Sequence, residues 1–280
     1  MRTLIQKIHV EEHHSFACRT YKTPNFETNW HKHEECELIV FNEGFGSAMI
    51  GDFVGEFKVG DVFFVGSNVP HAFRKYEQKM IASATAIQFK KSILGNDFLH
   101  LPEMKSIAQF LAKTDGIELT NELREIVAQH ILAIEKLEGF ERLFSFIACL
   151  ETMSTSGQLN AITTNFHTSS SHINPAIEKI IDFSFKHYLD PITLEQVAAV
   201  ADMSIPTFCR FFKKNIKKTY FDFLQELRIS HACKLLTHTN KPVTEICYES
   251  GFNSWAHFSK QFKKIKHVTP SVYRKQFSEE

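Results

Sequence analysis

Through the first 90 residues, apolar positions fall in short runs between turn signals; beyond them they fall in longer runs of helical period. Residues 37–41, 47–50, 53–57, 61–65 and 81–89 are short and rich in β-branched or aromatic side chains. Such side chains suit a pleated surface, so these segments predict strands. Turn chemistry separates them at Asn42-Glu43-Gly44, Gly51-Asp52, Gly60-Asp61 and Gly66-Ser67-Asn68. Strands spaced about 8–12 residues apart point to an antiparallel barrel or sandwich.

The period changes from about Asp97. Met104, Ile107, Ala108 and Leu111 recur at helical spacing, as do Leu123, Ile126, Val127, His130, Ile131 and Ile134, and then Leu143, Phe144, Ile147 and Leu150. These runs predict amphipathic helices that cover the strands or pair with a second copy. Residues 156–173 are Ser/Thr-rich and predict a linker. Asn174-Pro175 then opens a helical region that continues to the C-terminus, and Thr193-Leu194-Glu195-Gln196 is a capping box.

The chain is 280 residues long, which predicts one large domain or two ordinary ones. Its formal net charge is zero, which excludes a uniformly basic nucleic-acid binder. The total hides an asymmetry. Residues 174–280 hold 16 Lys/Arg and 11 Asp/Glu, a net of +5, and residues 1–173 hold 16 and 21, a net of −5. No apolar run is long enough to span a membrane and the first residues lack a signal-peptide core, so a cytoplasmic protein without membrane contact is expected. The six cysteines form no C-x-x-C pair and predict reduced thiols.

The basic half contains an internal repeat. Val197 matches Ile246 and Met203 matches Phe252 at an offset of 49; Phe208, Phe212 and Phe223 match Phe258, Phe262 and Tyr273 at an offset of 50. The second copy therefore carries one extra residue in its turn. Each copy reads as a helix-turn-helix whose second helix buries two Phe at i and i+4. Ser204 and Ser254 are expected to cap these second helices, and Gly251 to end the helix before the second turn.

The opposite face of each second helix is available to DNA. In the first copy it carries Pro206, Thr207, Cys209 and Arg210; in the second it carries Trp255, Ala256, His257 and Lys260. These residues are expected to read bases, since a recognition helix meets base edges near its N-terminus. Lys213, Lys214, Lys263 and Lys264 are expected on phosphates, with Ser204 and Thr269, and the neighbouring Lys217, Lys218 and Lys266 add to the same clusters. A long helix between the copies, carrying Phe223, Leu224, Leu227, Arg228, Ala232, Leu235 and Leu236, would set their separation.

Residues 174–277 resemble the DNA-binding domain of the AraC/XylS family of transcription regulators. The second copy carries Ile246, Ser250-Gly251-Phe252, Phe258, Phe262-Lys263, Thr269-Pro270 and Tyr273-Arg274. The first copy matches through Leu194, Val197-Ala198, Met203-Ser204, Arg210, Phe212-Lys213, Leu227-Arg228, Ala232 and Leu235-Leu236. Lys217 and His267 stand where the family usually has Gly. The resemblance implies two recognition helices entering successive major grooves of double-stranded DNA.

The strand-rich half contributes His31-Lys32-His33, Glu37, Gly44, Gly60-Asp61 and Pro70-His71. This spacing is similar to the two motifs of the cupin barrel, although Gly66-Ser67-Asn68 stands where Pro-x-Gly is usual. Imidazoles and one carboxylate in a common interior suit Zn, Fe, Mn or Ni, so His31, His33, Glu37 and His71 are the candidate metal ligands. The resemblance to effector domains fused to such readers implies a polar small-molecule pocket, often for a sugar. The same four residues are then effector-binding candidates together with Arg19 and Trp30, the latter as a stacking surface.

The expected fold class is α+β. A cupin-like β-barrel with appended helices (residues 1–155) is followed by a linker (156–173) and an all-α domain of two helix-turn-helix motifs (174–280). The expected function is a non-enzymatic, sequence-specific transcription regulator controlled by a sugar-like effector. It is expected to act as a homodimer, with RNA polymerase a further candidate partner. No cofactor is required by this reading, and a divalent metal in the barrel is the one candidate. The alternative is a metal-dependent cupin enzyme with a DNA-binding tail.

Overall fold

The computed structural model describes residues 8–24, 26, 29–76, 79–157, 159–163 and 174–277. The chain divides into two compact units, residues 1–173 and 174–280. The first holds β1 (Ala17–Lys22), β2 (Cys36–Glu43), β3 (Gly46–Ile50), β4 (Phe53–Phe57), β5 (Val62–Val65), β6 (His71–Lys75) and β7 (Ser83–Phe89). It continues with α1 (Asn96–Leu99), α2 (Lys105–Lys113), β8 (Gly116–Leu119), α3 (Asn121–Ile134), α4 (Gly139–Thr155) and β9 (Asn160–Thr163).

The strands form one sheet in the order β1-β7-β2-β5-β8-β9 and a second in the order β4-β3-β6. The expected barrel is not closed: among the described residues β1 and β9 remain the ends of the larger sheet, and an isolated antiparallel bridge joins His31 to His71. The physical reason lies in the faces of that sheet. Ile39, Phe41, Phe63, Val65, Ala84 and Ala86 point one way and pack with Ala48, Ile50, Phe57 and Phe73 of the smaller sheet. Leu38, Val40, Val62, Phe64, Ile87 and Phe89 point the other way and pack with Ile107, Phe110 and Leu111 of α2, Val127 and Ile131 of α3, and Phe146 and Leu150 of α4. With both faces covered, β2 reads as a continuous apolar run rather than an alternation. The unit is a three-layer stack: small sheet, large sheet, helices.

Two strands fall outside the sequence expectation. β8 is four residues between helices, and β9 lies inside residues 156–173, read as linker. β9 pairs with β8 because the backbone at Gly116 is bare: a Cβ there would lie 2.4 Å from Thr163 Cγ2. Thr163 also donates its hydroxyl hydrogen to Asp52 in the β3–β4 turn. The rest of the expected linker, residues 164–173, lies outside the described residues.

The second unit is helical: α5 (Pro175–His187), α6 (Leu194–Val200), α7 (Ile205–Ile216), α8 (Tyr220–His238), α9 (Val243–Glu249), α10 (Trp255–Lys266) and α11 (Pro270–Phe277). Four residues separate α6 from α7 and five separate α9 from α10, which is the extra residue seen in the repeat. Asn174 caps α5 by accepting from Ala176 N–H, and Thr193 with Gln196 completes the capping box of α6. Ser204 occupies the N-cap of α7 but does not cap it with its side chain; its hydroxyl donates to Thr207 Oγ1 instead. Ser254 accepts from His257 N–H and caps α10 as expected.

Phe208, Phe212, Phe258 and Phe262 are fully buried. Phe208 and Phe212 pack with Tyr220 of α8, while Phe258 and Phe262 join Ile229, Ala232, Cys233 and Leu236 of the same helix. The long helix is thus the shared core of both copies, which is how it fixes their separation.

Candidate functional site

The helical period places the two exposed faces expected to read DNA. With Phe208 and Phe212 inward, Pro206, Thr207, Cys209, Arg210, Lys213, Lys214 and Lys217 of the first copy are exposed. With Phe258 and Phe262 inward, Trp255, Ala256, His257, Lys260, Lys263, Lys264 and His267 of the second are exposed. Pro206, in the first turn of α7, has no N–H to leave unsatisfied, and Thr207 follows it. Each helix ends in a left-handed residue, Lys217 at φ 63° and His267 at φ 62°, the positions where the sequence lacks glycine. Their amides donate to Lys213 and Lys263 carbonyls and close the helix ends.

The lysines differ in their surroundings. Lys218 is held at 2.6 Å by Glu226, a pairing that competes with its expected phosphate role. Lys264 lies 3.6 Å from Asp222, tying α10 to α8, and Lys266 sits over the Tyr273 ring. Thr269 is exposed.

The two copies are also joined at the second turn. Gly251 has φ +80°, and a Cβ there would lie 2.9 Å from Arg228 Nε and 3.1 Å from the Leu189 carbonyl. Arg228 reaches from α8 to donate to the carbonyls of Tyr188 and Asp190 after α5. The glycine therefore serves close approach as well as turn geometry.

The first unit gathers a different set of side chains. His31, His33 and His71 offer ring nitrogens within 4.8 Å of one another, all buried. Each Nδ1 is committed to a backbone carbonyl: His31 to Asn29 at 2.8 Å, His33 to Glu35 at 3.0 Å and His71 to Val69 at 2.9 Å. With the proton on Nδ1, the lone pair lies on Nε2. The Nε2 atoms of His33 and His71 are buried without a hydrogen-bond partner. Glu37 sits 3.4 Å from His33 Nε2 and 3.9 Å from His71 Nε2.

Burial holds the His71 imidazole well down, to about 3, with His31 adding to the effect, and burial also lowers His31. Burial opposes charge on His33 as well, but the Glu37 carboxylate outweighs it and raises that ring. Burial would raise Glu37; His33, His71 and a hydrogen bond from Gln88 reverse it and hold the carboxyl down at about 2.

Sequence reading missed Gln88 and Tyr21. Gln88 donates to Glu37, and Tyr21 donates to Gln88 Oε1 at 3.2 Å. The signal was a polar residue in phase with Ala84 and Ala86 on the sheet's inner face. Trp30, expected as a stacking surface, is only 3% exposed and presents no open face for a sugar ring. Arg19 donates to the His9 carbonyl.

Residues 197–276 match a family model described as a helix-turn-helix domain. An uncharacterized HTH-type transcriptional regulator of Bacillus subtilis (strain 168) is 33% identical over 99 residues, covering 35% of this chain and 34% of that protein. Another, from Staphylococcus aureus (strain COL), is 22% identical over 216 residues, covering 77% of this chain and 28% of the relative. The chain thus spans about a third of the length of these curated relatives. Among solved structures, the DNA-binding domain of AdpA in complex with a target DNA is 26% identical, covering 38% of this chain and 94% of that one, at TM-score 0.35. ToxT from Vibrio cholerae O395 is 13% identical, covering 94% and 98%, at TM-score 0.38. The family match falls on the repeated helix pairs, and residues 197–276 of this chain carry a helix-turn-helix domain.

Proposed function

We propose that the protein is a sequence-specific transcription regulator: its helical unit reads double-stranded DNA, and its sheet unit receives a chemical signal. The observation that carries the reading is the matched pair of exposed faces on α7 and α10, each with base-reaching side chains first and lysines one turn later. On this reading Arg210 would fork onto a guanine, and Lys213, Lys214, Lys263 and Lys264 would neutralise phosphates. A gel shift with upstream DNA tests this. Retarded, salt-sensitive complexes are expected, and no complex at low salt rejects it.

A divalent metal is the input that the donor set of the sheet unit favours. Three buried imidazoles converge, Glu37 lies beside two of them, and the backbone carbonyls behind each Nδ1 are the outer partners that fix ligand orientation. The ion would be held by His31, His33, Glu37 and His71 and would supply a fixed positive centre against Glu37. This gives the reading a different emphasis from a sugar stacked on Trp30; a sugar-like effector would have to bind elsewhere in the unit. Titration with Zn²⁺ is expected to show one site per chain that is lost in His71→Ala. No high-affinity site in the wild-type chain would reject the metal.

The enzyme alternative needs an acid or base beyond the ligands, and no named residue is assigned that role. The homodimer draws its support from α4, where Phe140 and Phe144 are 77% and 63% exposed and stack on each other. RNA polymerase remains a partner suggested by the resemblance alone.

A further inference from the structure

We propose that α7 and α10 read chemically different bases: α7 anchors on a guanine, and α10 on the 5-methyl group of thymine through Trp255 and Ala256. The DNA site is then directional rather than palindromic. This deepens the regulator reading and rests on it.

The two helices compare position by position, because Ser204 and Ser254 stand at the same N-cap place. Arg210 of the first copy is matched by Lys260 of the second, and both are exposed. A guanidinium is a planar fork that bonds guanine O6 and N7 together, whereas an ammonium is a point charge that discriminates less. The second copy therefore lacks the group that makes the sharpest base choice in the first. At the first helical position the difference runs the other way. Ile205 is half-buried, whereas Trp255 is 41% exposed.

The indole is held in place. Its ring centroid lies 5.6 Å from that of fully buried Phe258, and Ser254 caps the turn by accepting from His257 N–H. Exposed Ala256 extends the apolar surface. The neighbouring His257 ring meets Phe252 edge to face at 5.6 Å and lies 3.5 Å from Gln261 Nε2, within its own copy. The first turn of α10 thus presents a preorganised apolar patch. In the major groove one base-edge group is apolar, the thymine methyl, and such a patch distinguishes it. Cytosine lacks the methyl and turns an amino donor toward side chains that cannot accept it.

The test begins with selection of duplexes from a random-sequence pool by the full chain. Gel shifts on the enriched duplex follow, with each thymine in turn replaced by deoxyuridine, which deletes the methyl and keeps the pairing. In one half-site at least one replacement is expected to weaken binding about fourfold, the worth of one buried methyl. The other half-site is expected to require a guanine, with Arg210→Lys relaxing that requirement. Trp255→Gln is expected to bind the thymine and deoxyuridine duplexes equally. The deoxyuridine series on the wild-type chain needs no variant, so it remains decisive if Trp255→Gln fails to fold. Indifference to every deoxyuridine, equal thymine dependence in both half-sites, or a thymine preference retained by folded Trp255→Gln overturns the proposal and leaves the regulator reading standing. Failure to enrich any duplex overturns both.

Discussion

At Gly251, one missing Cβ serves two purposes. The φ of +80° favours glycine, and the space a Cβ would need is taken by Arg228 Nε and the Leu189 carbonyl. Gly251→Ala is expected to destabilise the chain by roughly 1–3 kcal/mol and to loosen Arg228 from Tyr188 and Asp190. A lower denaturant midpoint would show this, and an unchanged midpoint would contradict it. Lys217 and His267 present the opposite case, since both sit left-handed without being glycine. His267→Gly relieves a left-handed cost of about 1 kcal/mol, partly offset by the entropy that glycine adds to the unfolded chain. A small upward shift in midpoint is expected, with DNA affinity preserved. His231 adds a pH dependence. Burial, helped by Lys234 and opposed by Glu249, lowers its pKa to about 4, and the Tyr188 hydroxyl lies 3.0 Å from its Nδ1. The folded state then binds fewer protons than the unfolded one between pH 6.5 and about 4. Its contribution is intact above pH 6.5 and is lost as the pH falls through that window. The midpoint of His231→Gln should therefore fall less steeply over the same range than that of the wild type.

At the scale of elements, α7 and α10 are positioned by their Phe pairs. Phe208→Ala would empty a fully buried site packed on Phe212 and Tyr220, at a cost of about 3–5 kcal/mol. Its DNA affinity should fall with the order of α7, whereas a variant of exposed Cys209 to Ser should keep its stability. The repeat that exposed these helices was legible because Phe at i and i+4 is a strong, local signal, and the extra residue in the second turn was read from the offset alone. β8 and β9 were not legible. Four residues carry almost no periodicity, and β9 forms because a distant bare backbone at Gly116 and the Asp52 side chain accept Thr163. Barrel closure was likewise beyond local pattern. Alternation shows that a strand has an inner face, but only the packing of α2, α3 and α4 shows that the outer face of the large sheet is buried too. The histidine set was visible from its spacing; the Nδ1 partners that aim it are backbone carbonyls, which leave no mark in the sequence.

For the whole molecule, the zero net charge separates into a basic helical half and an acidic strand-rich half. On the proposed reading, DNA affinity comes from local lysines rather than from overall charge. Four phosphate contacts from Lys213, Lys214, Lys263 and Lys264 would give a slope of about −4 in log affinity against log salt. Lys213→Ala with Lys214→Ala should reduce it by about two. The central claim is that both recognition helices meet DNA at once. Hydroxyl-radical footprinting of the full chain on its upstream DNA tests this most directly. The account predicts two protected patches about 10 base pairs apart, centre to centre, with Arg210→Ala weakening one and Lys260→Ala the other. A single patch, or two patches that neither substitution touches, would contradict it.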